Sequence, residues 1–280
     1  MQNPFTLSPV YQPENRISNL VVPMRYAIYY APPASTPLWQ LGSRWLGRDA
    51  RSGQLLTPPR IRGIDSERIL ELTRIPRHYG FHATMTPPFR LNGKTTEPHL
   101  LEVLTDFVSR QQPFSIPALK LSQMNGFFCL QPARHSLSLQ TLASLCIRAI
   151  DHCRAPLTPS ELARRKTAVL NGQEKRNLEL WGYPYVFEQF CFHFTLTARL
   201  SETREKELIH AALAEIFSPY LADPLLIDGL CLFVEPPSGQ PMHCLHQFSF
   251  APCLPDTRNR KRSQAPHLCT DVATRIEGLL

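Results

Sequence analysis

Two six-residue stretches alternate apolar and polar residues in the same way: Phe81-His82-Ala83-Thr84-Met85-Thr86 and Phe192-His193-Phe194-Thr195-Leu196-Thr197. Period two is the signature of a half-buried β-strand, because successive side chains point to opposite faces. The pattern sends Phe81, Ala83 and Met85 to a core, and likewise Phe192, Phe194 and Leu196. Each opposite face is left with His, Thr, Thr. A solvated strand face has no need of a histidine, so two matching faces call for a chemical explanation. Thr is itself a good strand former, and Thr86 and Thr197 are read as rim residues on that ground.

Strand-like patterning extends over 25–30, 79–86, 114–121, 127–131, 190–198, 225–235 and 243–250. Helical spacing of apolar residues marks 97–110, with Leu100, Leu101, Leu104, Phe107 and Val108, and also 137–152 and 203–217. Asn125-Gly126 sits between two strands as a two-residue hairpin signal. Strand, helix, strand, strand therefore follows each His motif, an approximate internal duplication in an α+β chain. The segment 156–185 is extra. It opens on Thr158-Pro159-Ser160-Glu161, a capping-box spacing with Pro at the first helical position, and is expected to form two helices over one edge of a cleft. Residues 1–23 read as an irregular N-terminal extension, 24–251 as the working domain, and 252–280 as a basic, flexible tail.

Composition narrows the class. Hydrophobic residues make up 43% and charged residues 19%, ordinary values for a globular protein. With 27 Pro and only 12 Gly, rigid loop corners are favoured over glycine-rich phosphate loops. No apolar run reaches the length of a membrane span and no signal-peptide layout opens the chain, so the expectation is a cytoplasmic protein with no membrane partner. The eight cysteines are scattered without a Cys-x-x-Cys pair, mostly in apolar stretches, where free Cys behaves as a small buried hydrophobe. The net charge of +7 owes part of its size to Arg258, Arg260, Lys261 and Arg262, which read as a solvated tail. What remains suits an anionic substrate without requiring nucleic acid.

Two histidines, each with a hydroxyl two residues on, are the parts needed for metal-free acid–base chemistry at a phosphate. His82 and His193 are the catalytic candidates, and Thr84 and Thr195 the phosphate-binding ones. Tyr79 and Tyr185, each just upstream of a His motif, and Arg90 are substrate-binding candidates. His243 and His246 would point to opposite faces of a strand, which argues against a shared ion. His152-Cys153 and His135 lack a partner pattern and read as surface groups. No metal and no cofactor is expected.

The paired motifs resemble the 2H phosphoesterase superfamily. Within it, 25–33 (Arg-Tyr-Ala-Ile-Tyr-Tyr-Ala-Pro-Pro), 79–84, 157–165, Trp181-Gly182-Tyr183-Pro184-Tyr185-Val186 and Leu232-Phe233-Val234-Glu235 resemble the DUF1045 family, whose members carry a phosphonate-metabolism label. The likeness spans roughly 24–250. It implies a bilobal duplicated fold, two antiparallel sheets flanking a central groove with helices outside, and both His-x-Thr faces lining the groove. Where the family often has Lys after the first motif this chain has Thr86, so a phosphate-binding cation would have to be Arg90 or Lys94. The implied activity is a metal-independent cyclic phosphodiesterase acting on a small sugar phosphate. A 2′,3′-cyclic phosphodiesterase acting on RNA ends or nucleotides is the second reading, less favoured because no extended basic patch is interleaved with aromatics. A non-catalytic phospho-ligand-binding accessory protein is the third. Oligomeric state, and which histidine is acid and which base, stay open.

Overall fold

A computed structural model describes residues 24–166, 169–237 and 239–251. The expected N-terminal extension and basic tail lie outside the described residues. In chain order the elements are β1 (Arg25–Tyr30), α1 (Pro37–Leu46), α2 (Ser66–Tyr79), β2 (Ala83–Phe89), α3 (Glu97–Ser109), β3 (Phe114–Ile116), β4 (Leu119–Met124), β5 (Phe127–Pro132), α4 (Leu137–Ile150), α5 (Pro159–Lys166), α6 (Gly172–Trp181), β6 (Phe194–Thr195), α7 (Thr203–Leu221), β7 (Leu225–Ile227), β8 (Gly229–Glu235) and β9 (His243–Ser249). No helix among the described residues is long and apolar enough to cross a membrane.

The duplication is explicit: β2-α3-β3-β4-β5 is repeated as β6-α7-β7-β8-β9. The strands form an antiparallel sheet of order β4-β5-β6-β2-β1-β8-β9, and β3 pairs with its counterpart β7 in a separate two-stranded ladder. The two halves of the large sheet, β4-β5-β6 and β2-β1-β8-β9, meet along the β6–β2 edge, where Ala83 faces Phe194. The repeats are interleaved. The β4–β5 hairpin of the first repeat seats on β6 of the second, while β8 of the second pairs with β1. Asn125 (φ 46°) and Gly126 (φ 87°) turn the β4–β5 hairpin, both in the left-handed conformation that the tight turn demands.

Local chemistry explains where the elements depart from the sequence pattern. The expected strand over 114–121 breaks at Pro117, which has no N–H to give a ladder, and its pieces serve different sheets. The expected strand over 225–235 likewise divides into β7 and β8 around Asp228. Helices α1 and α2 lack an obvious apolar period because small or polar residues complete their buried stripes. In α2 that stripe is Ile69, Leu72, Thr73 and Pro76; in α1, Gly42 and Ser43 sit among Leu38, Trp39, Trp45 and Leu46. A Cβ on Gly42 would stand 2.4 Å from the ring of Phe81, so glycine there lets the aromatic core of the first His motif close onto α1. Phe81 in turn stacks on Phe194 with centroids 4.8 Å apart, joining the apolar sides of both motifs.

Thr86 and Thr197 are not rim residues: each is 1% exposed. Tyr29 pairs with Thr84 but Ile28 with Thr86, so β2 carries one extra residue, and the bulge turns Thr86 to the side that Ile28 faces. Its hydroxyl lies 3.4 Å from Cys146 Sγ on α4. The hydroxyl of Thr197 accepts the Phe128 backbone N–H at 3.0 Å. β6 is correspondingly short. The N–H groups of Leu196 and Thr197 converge on the one carbonyl of Phe128, which ends the regular ladder expected over 190–198. β9 also carries an extra residue, Leu245, between the partners of Phe233 and Leu232, which sets His243 opposite Val234 and His246 opposite Leu232. The two histidines therefore share a face, contrary to simple alternation.

Candidate functional site

The cross-strand pairs define one face of the sheet. Tyr29 lies opposite Thr84, Ala83 opposite Phe194, and Cys129 opposite Thr195, so His82, Thr84, His193 and Thr195 all project to the side that Tyr29 occupies. Both imidazoles are partly buried and are held in the same way. His82 Nδ1 lies 2.9 Å from the carbonyl of Gly80, and His193 Nδ1 lies 2.9 Å from the carbonyl of Cys191. A carbonyl only accepts, so each Nδ1 carries the proton of the neutral ring and each Nε2 is left as a lone-pair acceptor. His82 Nε2 is 3.2 Å from Thr84 Oγ1.

The carbonyl that anchors His82 depends on unusual backbone. Gly80 ends α2 at φ 80°, ψ 175°, a region essentially reserved for glycine. Arg48 fixes the helix end before it, donating from Nε to the Arg77 carbonyl (3.1 Å) and from Nη2 to the His78 carbonyl (3.2 Å). A cation is favourable at the negative end of a helix.

Aromatic and charged neighbours complete the first half of the face. The His82 ring stacks on Tyr29 at 3.6 Å between centroids, with Phe233 and Tyr79 at 6.2 and 6.4 Å. The hydroxyl of Tyr79 interacts with Arg25, whose guanidinium is paired with the buried carboxylate of Glu235. Glu235 also meets His78 Nε2 at 2.8 Å. Burial works against ionisation of Glu235, but Arg25 and His78 outweigh it and hold the carboxyl below its usual range. Tyr183, from the loop after α6, is pushed up to about 12 by burial and stays a neutral phenol. Around His193 the neighbour is Phe127, at 5.9 Å between centroids.

Burial dominates the acid–base behaviour of the pair. It lowers His82 to about 4, the Gly80 carbonyl opposing the shift and the adjacent His193 adding to it. His193 is lowered as well, by burial, with the Cys191 carbonyl opposing. Both rings are therefore neutral in the free protein at neutral pH, and a charge on one disfavours charge on the other. This has a consequence for stability. The ordinary histidine value near 6.5 applies to the unfolded chain, so as pH falls the unfolded state takes up the proton first. His82 thus contributes stability that is complete above about pH 6.5 and declines toward pH 4, by about 3 kcal/mol in all. Urea unfolding at pH 7.5 and pH 4 should show a larger loss for the wild type than for His82→Gln. Equal losses in the two proteins would contradict the shift.

The structure distributes the remaining sequence candidates unevenly. Tyr79 stands beside His82. Tyr185 is exposed and meets Tyr183 edge-on at 5.5 Å, so the inner member of that pair is Tyr183. Arg90 is turned to α5, where Nη2 donates to Glu161 at 3.1 Å and to the Pro156 carbonyl at 2.7 Å. Burial disfavours a charged Glu161, yet Arg90 and Thr158 hold its carboxyl at about 2. The guanidinium associated with the His82 side of the face is instead Arg25. No local sequence signal marks Arg25, because its relation to Glu235 joins the first and eighth strands. The Thr158–Glu161 capping box does form, with Thr158 N–H donating to Glu161 at 2.8 Å.

Residues 84–243 match the family described as "Protein of unknown function (DUF1045)". Two curated relatives, both named "Ribose 1,5-bisphosphate phosphokinase PhnN", are each 36% identical. The one from Janthinobacterium sp. (strain Marseille) aligns over 220 residues, 78% of this chain; the one from Laribacter hongkongensis (strain HLHK9) aligns over 217 residues, 77% of this chain. The match covers 49% of each relative, so the chain spans about half the length of the curated relatives it matches. Among solved structures, a phosphoesterase (12% identity, TM-score 0.38) and E. coli LigT complexed with 3′-AMP (13% identity, TM-score 0.39) each align over 82% of this chain and 99% of their own. With the family match covering more than half of its residues, the chain belongs to the DUF1045 family.

Proposed function

We infer that the chain is a phosphoesterase that opens a cyclic phosphodiester by acid–base catalysis between His82 and His193. The observation that carries this reading is the matched anchoring of the two imidazoles. Each is fixed by Nδ1 to the carbonyl two residues back, on adjacent strands, which leaves Nε2 as the lone-pair acceptor, and each has a threonine hydroxyl two residues on, 3.2 Å from Nε2 in His82.

Ring opening needs a base for the attacking water and an acid for the leaving alkoxide. The neutral Nε2 of one histidine takes the water proton as the oxygen bonds to phosphorus. The imidazolium of the other gives its proton to the ring oxygen as the P–O bond breaks, leaving a phosphomonoester and no net change in protons on the pair. Thr84 and Thr195 hydroxyls donate to the non-bridging oxygens, where negative charge grows. Burial keeps both rings neutral in the free protein, so the substrate's own negative charge favours protonation of the nearer one. Among the described residues, the Glu235 carboxylate near this face is engaged by Arg25 and His78.

A small sugar phosphate is the preferred substrate. Opening a cyclic ribose phosphate yields a ribose phosphomonoester, the class of compound that the relatives' name, ribose 1,5-bisphosphate phosphokinase, says they act on. A panel of ribose cyclic phosphates and nucleoside 2′,3′-cyclic phosphates, assayed in EDTA, tests both the chemistry and the substrate class. Chelator-resistant turnover with the ribose compounds leading is expected. Turnover of nucleoside substrates alone would overturn the sugar assignment. Turnover of none, with the ligands still bound, would replace catalysis by an accessory binding role.

A further inference from the structure

On the helix-bearing side of β2 a second group of side chains converges. His99, in the first turn of α3, meets His152 and Cys153, in the 3₁₀ turn that follows α4. One ligand atom from each lies within 4.8 Å of the other two. His152 Nε2 is 3.4 Å from Cys153 Sγ, and the rings of His99 and His152 stand 6.3 Å apart at 70°. A tetrahedral ion with metal–sulfur bonds of about 2.3 Å and metal–nitrogen bonds of about 2.0 Å puts its S and N ligands about 3.5 Å apart. The Cys153–His152 edge already has that length. Only a small swing of the exposed His99 ring is needed to bring in the third ligand.

Three features beyond proximity point to an ion. His99 Nδ1 faces Glu102 Oε2 at 3.4 Å, one turn along α3, an arrangement that leaves Nε2 for a metal and orients the ring through the carboxylate. The turn carrying His152 and Cys153 is clamped at both carbonyls. Asn92 donates its backbone N–H to Cys153 O at 2.9 Å and its side-chain amide to His152 O at 2.6 Å, while Leu91 bridges Arg154. Finally, Cys153 is fully buried beneath two exposed imidazoles, so three ligands close the inner side and the outer side is open to solvent. Two imidazoles and one thiolate form a borderline-soft donor set suited to zinc and ions like it.

We propose that His99, His152 and Cys153 bind a divalent transition-metal ion of the zinc class, tying the first turn of α3 to the turn after α4. The ion replaces the thiol proton on Cys153 and leaves its fourth position for water. α3 and α4 pack against each other, and the ion pins their adjoining ends. The proposal is independent of the two-histidine chemistry.

The full-length reduced protein, stripped by chelator and dialysed, is titrated with Co(II), then back-titrated with Zn(II). One equivalent of cobalt should produce a near-ultraviolet thiolate charge-transfer band with the visible bands of a tetrahedral site, and zinc should displace both. Cys153→Ser should remove the charge-transfer band, and His99→Ala should weaken binding at least tenfold. Glu102→Gln should weaken it ~10–100-fold. Cys191→Ser, which removes an exposed thiol elsewhere, should leave the spectrum unchanged. Zinc should raise the melting temperature of the wild type but not of His99→Ala. Absence of a one-equivalent band, or its persistence in Cys153→Ser, would overturn the site.

Discussion

Replacing either His82 or His193 by alanine is expected to lower turnover of the preferred cyclic diester by ~10²–10⁴-fold, the range for removing one positioned proton-transfer group. The two losses should not multiply. Residues that act as a unit are non-additive, and once one proton route is gone the second histidine has little left to assist. The double variant should therefore lie within about tenfold of the worse single one. Single-turnover rates at saturating substrate read the chemical step, and far-ultraviolet circular dichroism checks that the sheet is intact. The His82 variant also loses its stack on Tyr29, so its fold needs that control more than the His193 variant does. Wild-type rates in either folded variant would remove the acid–base pair from the mechanism, whatever ligand the face binds.

Gly80→Ala should be the most damaging substitution of a residue with no functional group. Its φ of 80° with ψ of 175° costs a side-chain-bearing residue ~1–3 kcal/mol. The added Cβ would also stand 2.4 Å from Ala50 Cβ, where neither partner is a flexible chain end. Relief requires the backbone to move, and the group that moves with it is the carbonyl holding His82 Nδ1. A shift of about 1 Å at the reacting groups can cost ~10²-fold in rate. Stability and turnover should thus fall together in Gly80→Ala. Gly53→Ala offers the comparison: Gly53 has φ 76° but nothing within 4 Å of its Cβ position, so only the backbone penalty should appear, with turnover kept. Normal turnover in Gly80→Ala would show that the Gly80 carbonyl does not position His82.

Much of this arrangement was legible in the chain because period-two patterning reports burial directly. Phe81, Ala83, Met85, Phe192, Phe194 and Leu196 are all buried, as the alternation requires, and His82 and His193 share the opposite face. The pattern failed where the backbone changes phase. At Thr86 an extra residue reverses the face; the signal available for it was Pro87-Pro88, since proline inside a paired strand is confined to edges and bulges. It failed also where a helix buries Thr, Pro, Gly or Ser, as α1 and α2 do, since such a stripe does not look apolar. Pairings between distant residues were out of reach. Arg90 sits close to the first motif in sequence and bonds to α5, whereas Arg25 reaches the His82 side only because β1 lies between β2 and β8. His99 and the Cys153 turn are brought together by the packing of α3 on α4, a juxtaposition of residues some fifty positions apart that the local sequence around His152-Cys153 does not show.

The interleaving of the two repeats bears on how the chain reaches this state. A duplicated protein whose halves each closed their own sheet could fold one half at a time, the first maturing while the second was still being made. Here β5 has no neighbour on its inner side until β6 exists, and the outer edge of β1 is unpaired until β8 arrives from the far end of the chain. Neither repeat is a complete folding unit, and the pairings that close the sheet link residues as distant as Arg25 and Glu235. Such long-range closures are entropically late and slow folding. In exchange, the two imidazoles come into register only when β6 of the second repeat pairs with β2 of the first, so a chain with only its first repeat in place carries one histidine strand without its partner.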